Sequence, residues 1–196
     1  MDGVVKAVEK VDGVQFEFSD SVVVCKFDEL PQFQALTGYG TKGCDLVVVD
    51  EEKLWLVEVK DYDHRERTEP EPPASELIPA VVQKVLGTTA ILFLLAREAT
   101  CKGEGATCEG QVRKLVKAAA KTTEVHVVLH IEPKRTRKGK IRKNDHIKIL
   151  LKPYKDALRR AWKNGLKVRA VHVSTNFEPV EAAPWTASRD PDTRLR

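Results

Sequence analysis

Residues Cys44–Lys60 read CDLVVVDEEKLWLVEVK, and this stretch decides the fold. Two apolar runs, Cys44–Val49 and Leu54–Lys60, flank the polar Asp50-Glu51-Glu52-Lys53. Valine- and leucine-rich runs on either side of a short polar stretch predict an antiparallel hairpin. A tight turn centred between Glu51 and Glu52 pairs Asp50 with Lys53, and counting outward pairs Asp45 with Glu58. Residues directly opposed across two strands share one face of the sheet. Lys60, two positions past Glu58, lies on that face as well. All three stand at the open end of the hairpin, away from its turn.

That arrangement costs stability. Like charges directly opposite each other repel. The neighbours Leu46, Val47, Val48, Leu56, Val57 and Val59 imply a largely buried sheet, where a carboxylate loses hydration. A divalent cation between the carboxylates removes the repulsion. Magnesium suits the pair, because it takes one or two carboxylates, keeps several waters and accepts phosphate oxygens. On this reading, Asp45→Asn stabilises the metal-free protein.

An Asp, a gap and then Glu-x-Lys on adjacent strands resembles the PD-(D/E)xK nuclease superfamily, which includes restriction endonucleases and repair nucleases. Here the pattern is Asp45 followed by Glu58-Val59-Lys60, with Cys44 where the family's name places Pro. The segments KFDE, KGCD and LWLVEVKDY also look like uncharacterised bacterial members. The resemblance covers about Cys25–Tyr62, and beyond that only the order of helices and strands.

The resemblance implies an α/β fold: a restriction-endonuclease-like mixed β-sheet flanked by helices. It implies a Mg²⁺-dependent phosphodiesterase, endonuclease or exonuclease, that cleaves nucleic acid, with DNA the first choice. Asp45 and Glu58 would hold Mg²⁺, for which Mn²⁺ can substitute, and the backbone carbonyl of Val59 would join them. Lys60 would orient or activate the attacking water and balance charge on the phosphate. Many members add an upstream acidic residue; Glu29 is the first candidate here and Asp28 the second. The family's Gln-xxx-Tyr motif is not carried over, because Gln83 is followed at the Tyr position by Gly87. The alternative is a catalytically inactive nucleic-acid-binding module of the same fold. A third reading is a protein-interaction domain with an acidic partner.

Upstream of the hairpin, Val14–Phe18 and Ser21–Phe27 around Ser19-Asp20 suggest a second hairpin. Asp28–Leu36 suits a short helix, and the glycine-rich Thr37–Gly43 breaks regular structure. Downstream, Asp61–Pro73 is a charged, proline-rich loop. A long helix is expected over about Ser75–Ala99, with Ser75 as N-cap and Pro79 near its start. A second is expected over Gly110–Lys121 with Val112, Leu115, Val116 and Ala119 at helical spacing. Glu124–Glu132 (EVHVVLHIE) reads as a strand. A helix starting at Pro153 and ending at Asn164-Gly165 precedes a last strand, Lys167–Ser174. The nuclease-like domain is expected over residues 1–175, and residues 176–196 form a loosely ordered tail.

Pro133–Lys143 reads PKRTRKGKIRK, with basic residues at Lys134, Arg135, Arg137, Lys138, Lys140, Arg142 and Lys143 and no acid. Such a segment neutralises phosphates along a nucleic-acid backbone. It holds no aromatic, so base stacking is not indicated. Arg159, Arg160 and Lys163 extend the patch. The competing reading is a solvated surface loop. His126 and His130 alternate on one strand face and read as structural.

The 196 residues suit one domain, and a 42% hydrophobic, 32% charged composition suits a water-soluble core. The net charge of +4 is too small to name a partner by itself. Met1–Lys10 has no apolar segment of a signal peptide. The apolar run Val85–Ala96 falls short of the roughly 20 residues that span a bilayer. A cytoplasmic protein with no membrane partner is expected, and a homodimer is compatible. None of Cys25, Cys44, Cys101 and Cys108 forms a CxxC pair, so a structural zinc site on cysteines is not expected. Reduced thiols are the default, and the alternative is a Cys101–Cys108 pair across the loop that they flank.

Overall fold

The computed structural model of the chain describes residues 7–62, 72–101, 110–133, 144–165, 171–176 and 182–189. In chain order the elements are β1 (Val8–Val11), β2 (Val14–Phe18), β3 (Val23–Lys26), α1 (Pro31–Thr37), β4 (Leu46–Asp50) and β5 (Lys53–Asp61). There follow α2 (Ala74–Cys101), α3 (Gly110–Ala119), β6 (Glu124–Glu132) and α4 (Asn144–Arg159), which continues into a π-helical segment, Arg160–Gly165. The strands β7 (Val171–Thr175) and β8 (Trp185–Arg189) complete the order.

The hairpin β4–β5 forms in the expected register, with Asp50 opposite Lys53, Val48 opposite Trp55 and Leu46 opposite Val57. It is the middle of a five-stranded sheet ordered β3-β4-β5-β6-β7. β3, β4 and β5 run antiparallel, whereas β5, β6 and β7 run parallel. Parallel neighbours need a crossover, supplied here by α2 and α3 before β6 and by α4 before β7. Both faces of this sheet are covered, so β4 and β5 read as continuous apolar runs rather than alternating ones.

On one face, Val47, Val49, Leu54, Leu56, Val127 and Leu129 form a core with α2, α3 and α4 through residues such as Val81, Leu115 and Leu158. On the other, Val48, Trp55, Val57 and Val59 pack on Phe16 and Phe18 of a three-stranded sheet, β1-β2-β8. The chain is therefore layered as helices, large sheet, small sheet.

Several boundaries differ from the sequence reading, each for a tertiary reason. Val14–Phe18 does not pair with Ser21–Phe27. β2 pairs with β1 and β8, while β3 crosses to β4. The hairpin of β2 is the one with β1, turned by Asp12 (φ 47°) and Gly13 (φ 81°). Asp-Gly is a strong two-residue turn signal, because both central positions need positive φ. Within 176–196, expected as a loose tail, Trp185–Arg189 is a strand whose Trp185 stands opposite Phe18. α4 begins at Asn144, nine residues before Pro153, which the helix carries inside it. The expected last strand is seen as Val171–Thr175, because residues 166–170 lie outside the described residues. Cys108 and the side chain of Cys101 also lie outside them, so the question of their pairing does too.

Among the described residues, one helical stretch, Ala74–Arg97, is long and apolar enough to cross a membrane. Its Leu77, Val81, Val85, Ile91 and Leu92 are buried in the core. Leu86, Phe93 and Leu94 point outward.

Candidate active site

Glu58 stands on the helix-covered face of β5, in step with Leu54 and Leu56, and is 1% exposed. Asp45 is the residue before β4 and continues its register, so it faces Glu58 across the hairpin. Two backbone bonds hold that residue in place. Its carbonyl accepts from Phe27 N–H at 3.0 Å, and its Oδ2 accepts from Val59 N–H at 2.7 Å. The carboxylate is thereby aimed into the gap between sheet and α2.

Two lysines enter that gap. Lys60 Nζ lies 2.6 Å from Glu58 Oε1, on the predicted face. Lys84 Nζ reaches down from α2 to Asp45 Oδ1 at 3.1 Å and to Glu58 Oε1 at 2.8 Å. The two acidic side chains are thus close enough to share one cation, and in this structure the cation is an ammonium group. Lys84 is the residue that sequence reasoning missed. Its neighbour Gln83 falls at the first position of the Gln-xxx-Tyr pattern, but nothing local marks position 84 as inward-facing.

The electrostatics follow from that packing. Burial, then the negative charge of Asp45, raises the Glu58 carboxyl above its usual range, opposed by Lys60 and Lys84. The Lys84 ammonium is stabilised well above its ordinary range despite burial, chiefly by Glu58 and then Asp45. Even so, Glu58 Oε2 is buried with no hydrogen-bond partner among the described residues. A buried carboxylate oxygen left unmatched costs roughly 1–3 kcal/mol, and more when the group is charged. The donor set fits a hard divalent ion: two carboxylates, one of them with an uncommitted oxygen. Asp45 and Glu58 would hold it. The Val59 carbonyl, expected to assist, accepts a bond from Lys60 Nζ at 3.0 Å.

The upstream acidic candidates separate clearly. Glu29 turns outward and pairs with Lys26 at 3.2 Å. Asp28, in the turn before α1, feels the site although it is still open to solvent. Its carboxyl is raised by desolvation and then by the charge of Asp45. Cys44 is fully buried, and burial followed by the charge of Glu58 pushes its thiol far up, so it stays protonated. That agrees with a small core residue and not a nucleophile.

Two contacts explain why Lys84 lands where it does. Thr88, one turn beyond it, accepts the Cys44 N–H on its hydroxyl at 2.8 Å. Gly87 lets the helix touch the chain just before Asp45: a Cβ there would meet the Lys42 carbonyl oxygen at 2.1 Å.

The predicted basic segment, from Lys134 through Arg135, Arg137, Lys138, Lys140 and Arg142 to Lys143, lies outside the described residues, as does His64. Arg159, Arg160 and Lys163 are exposed at the end of α4 and beyond it. His130 lies on the opposite face of the sheet, bonded to Glu132 at 3.1 Å, beside a cavity of about 390 Å³ between the two sheets. Comparison with known proteins returned no match: no family model, no curated protein and no solved structure is similar enough to place the chain in a family.

Proposed function

We propose that the chain is a metal-dependent nuclease of the PD-(D/E)xK kind, hydrolysing phosphodiester bonds in nucleic acid, DNA first. The observation that carries this reading is Glu58. It is an almost fully buried carboxylate, opposed by Asp45 and flanked by two lysines, that still has one oxygen without a partner among the described residues. A group held at that cost is expected at a functional site. The mixed sheet with helices packed on the site's face is compatible with a restriction-endonuclease-like fold.

In this reading Asp45 and Glu58 hold Mg²⁺, or Mn²⁺, and Asp28 is the nearby acid that can support it. The ion supplies polarisation of the phosphoryl oxygen and a lower pKa for bound water. Lys60, whose side chain is about one-fifth exposed, would meet the scissile phosphate and orient the attacking water. Two carboxylates and two ammonium groups are near neutral together, so an added divalent ion makes the site cationic and attractive to a phosphate.

Lys84 favours a second reading, the catalytically inactive nucleic-acid-binding module. Its ammonium already contacts both carboxylates, as in a self-contained ion-pair cluster. The test is cleavage of linear, circular and single-stranded DNA, and of RNA, with Mg²⁺, Mn²⁺ or EDTA. Metal-dependent cleavage lost in Glu58→Gln supports the nuclease. Salt-sensitive binding without cleavage under every condition supports the module.

A further inference from the structure

The face of the large sheet turned away from Asp45 and Glu58 carries a second set of metal-ligating side chains. Glu124 and His126 are two residues apart on β6 and so share a face. His172 on β7 is the direct register partner of His126. One ligating atom from each of the three falls within 4.8 Å of the others. His126 Nε2 is 3.3 Å from Glu124 Oε2. Zinc bond lengths place neighbouring tetrahedral donors about 3.3–3.5 Å apart. The His126–Glu124 pair already meets that spacing, and the His172 ring, stacked on His126, turns to bring its nitrogen to the same ion.

The surroundings are those of a held site with one open side. His126 is 1% exposed and is fixed between two rings: Trp55 at 4.1 Å and His172 at 4.8 Å, both nearly parallel to it. Glu124 and His172 are half-buried, so they have room to adjust and the ion has a route in. Two imidazoles and one carboxylate form a borderline donor set that favours zinc over magnesium, which prefers oxygen alone. Sequence reading missed the set because His172 lies far along the chain and has no partner nearby in sequence.

We propose that Glu124, His126 and His172 bind Zn²⁺ and clamp the edge strand β7 to β6. A zinc ion there ties the last strand of the large sheet to its interior. The two centres then divide metals by chemistry, oxygen donors on the helix face and mixed nitrogen and oxygen donors on the other.

The test uses the full chain, stripped with chelator and titrated with Zn²⁺, Co²⁺ or Mg²⁺ alone. Zn²⁺ is expected to raise the melting temperature at equimolar metal. Co²⁺ is expected to give the ligand-field absorption of low-coordinate nitrogen ligation and to quench Trp55 fluorescence. His172→Gln should lose the absorption, the quenching and the zinc-dependent shift, and Glu124→Gln should weaken all three. Both positions are half-buried, so the variants should fold; a circular-dichroism melt without metal checks this. Asp45→Asn, at the other centre, should keep the cobalt signature. Failure of wild type to bind Zn²⁺, or binding unaffected by His172→Gln and lost in Asp45→Asn, overturns the proposal and leaves the nuclease reading untouched.

Discussion

Lys84 changes the sign of a prediction. From the sequence alone, Asp45 and Glu58 repel, and neutralising Asp45 should stabilise the metal-free protein. In the structure Asp45 accepts from Lys84 and from Val59 N–H, and Lys84 also contacts Glu58. Asp45→Asn removes a charged acceptor from a half-buried ammonium. It is therefore expected to destabilise the metal-free protein by about 1–3 kcal/mol, read from urea unfolding in EDTA. Stabilisation instead would mean that Lys84 does not hold this position in solution. Lys60→Ala separates ligation from chemistry. It should lower cleavage about a hundredfold or more while Mg²⁺ affinity by calorimetry stays close to wild type. Parallel loss of both would make Lys60 a structural partner of Glu58 only.

Among the elements, α2 decides whether a site exists. Its docking on Lys42–Cys44 delivers Lys84 to the carboxylates. Gly87→Ala tests this, because two effects oppose each other. Alanine gains up to about 1 kcal/mol in helix propensity. Against that, its Cβ would sit 2.1 Å from a backbone oxygen, which no rotamer change relieves. Overpacking of this kind costs typically about 1–3 kcal/mol, so net destabilisation is expected in thermal melts. A variant at least as stable as wild type would show that the helix stands farther from Lys42. β8 is the other element of consequence. Trp185 covers Phe16, Phe18 and Trp55, and Arg189 reaches Glu132 at 3.0 Å and the Pro133 carbonyl at 3.2 Å.

Across the whole molecule, the Glu132–Arg189 contact links the small sheet to the large one and makes that link sensitive to acid. Burial raises the Glu132 carboxyl, but the hydrogen bond and charge of His130, and then Arg189, outweigh it and hold the group below its usual range. A carboxyl depressed in the folded state stabilises the protein above its unfolded pKa, and that contribution fades as pH falls through the lower folded value. Glu132→Gln should therefore lose stability near neutral pH and approach wild type under acid below pH about 4. A constant difference at all pH values would assign Glu132 a packing role only. The basic segment belongs to this scale too, since it acts on a partner. Neutralising Lys138, Lys140 and Arg142 together should weaken nucleic-acid binding and flatten its salt dependence by about one unit per lost phosphate contact. Unchanged slope would leave the segment as solvated surface.

The hairpin, its register and the shared face of Asp45, Glu58 and Lys60 were legible in Cys44–Lys60, because alternation and turn position are local properties of adjacent residues. Glu124–Glu132 was legible for the same reason. The partners of β2 and β8 were not, since strand pairing across the whole chain leaves no local period, although the Asp12-Gly13 turn was there to be read. Lys84 on its helix looks like any lysine until Gly87 and Thr88 press α2 onto the chain before Asp45. His126 and His172 are 46 positions apart in the sequence, and only the parallel register of β6 and β7 makes them neighbours. The chain's local chemistry named the acidic residues. Long-range packing chose their counter-charges, because a buried charge is matched by whichever group the fold brings within contact distance.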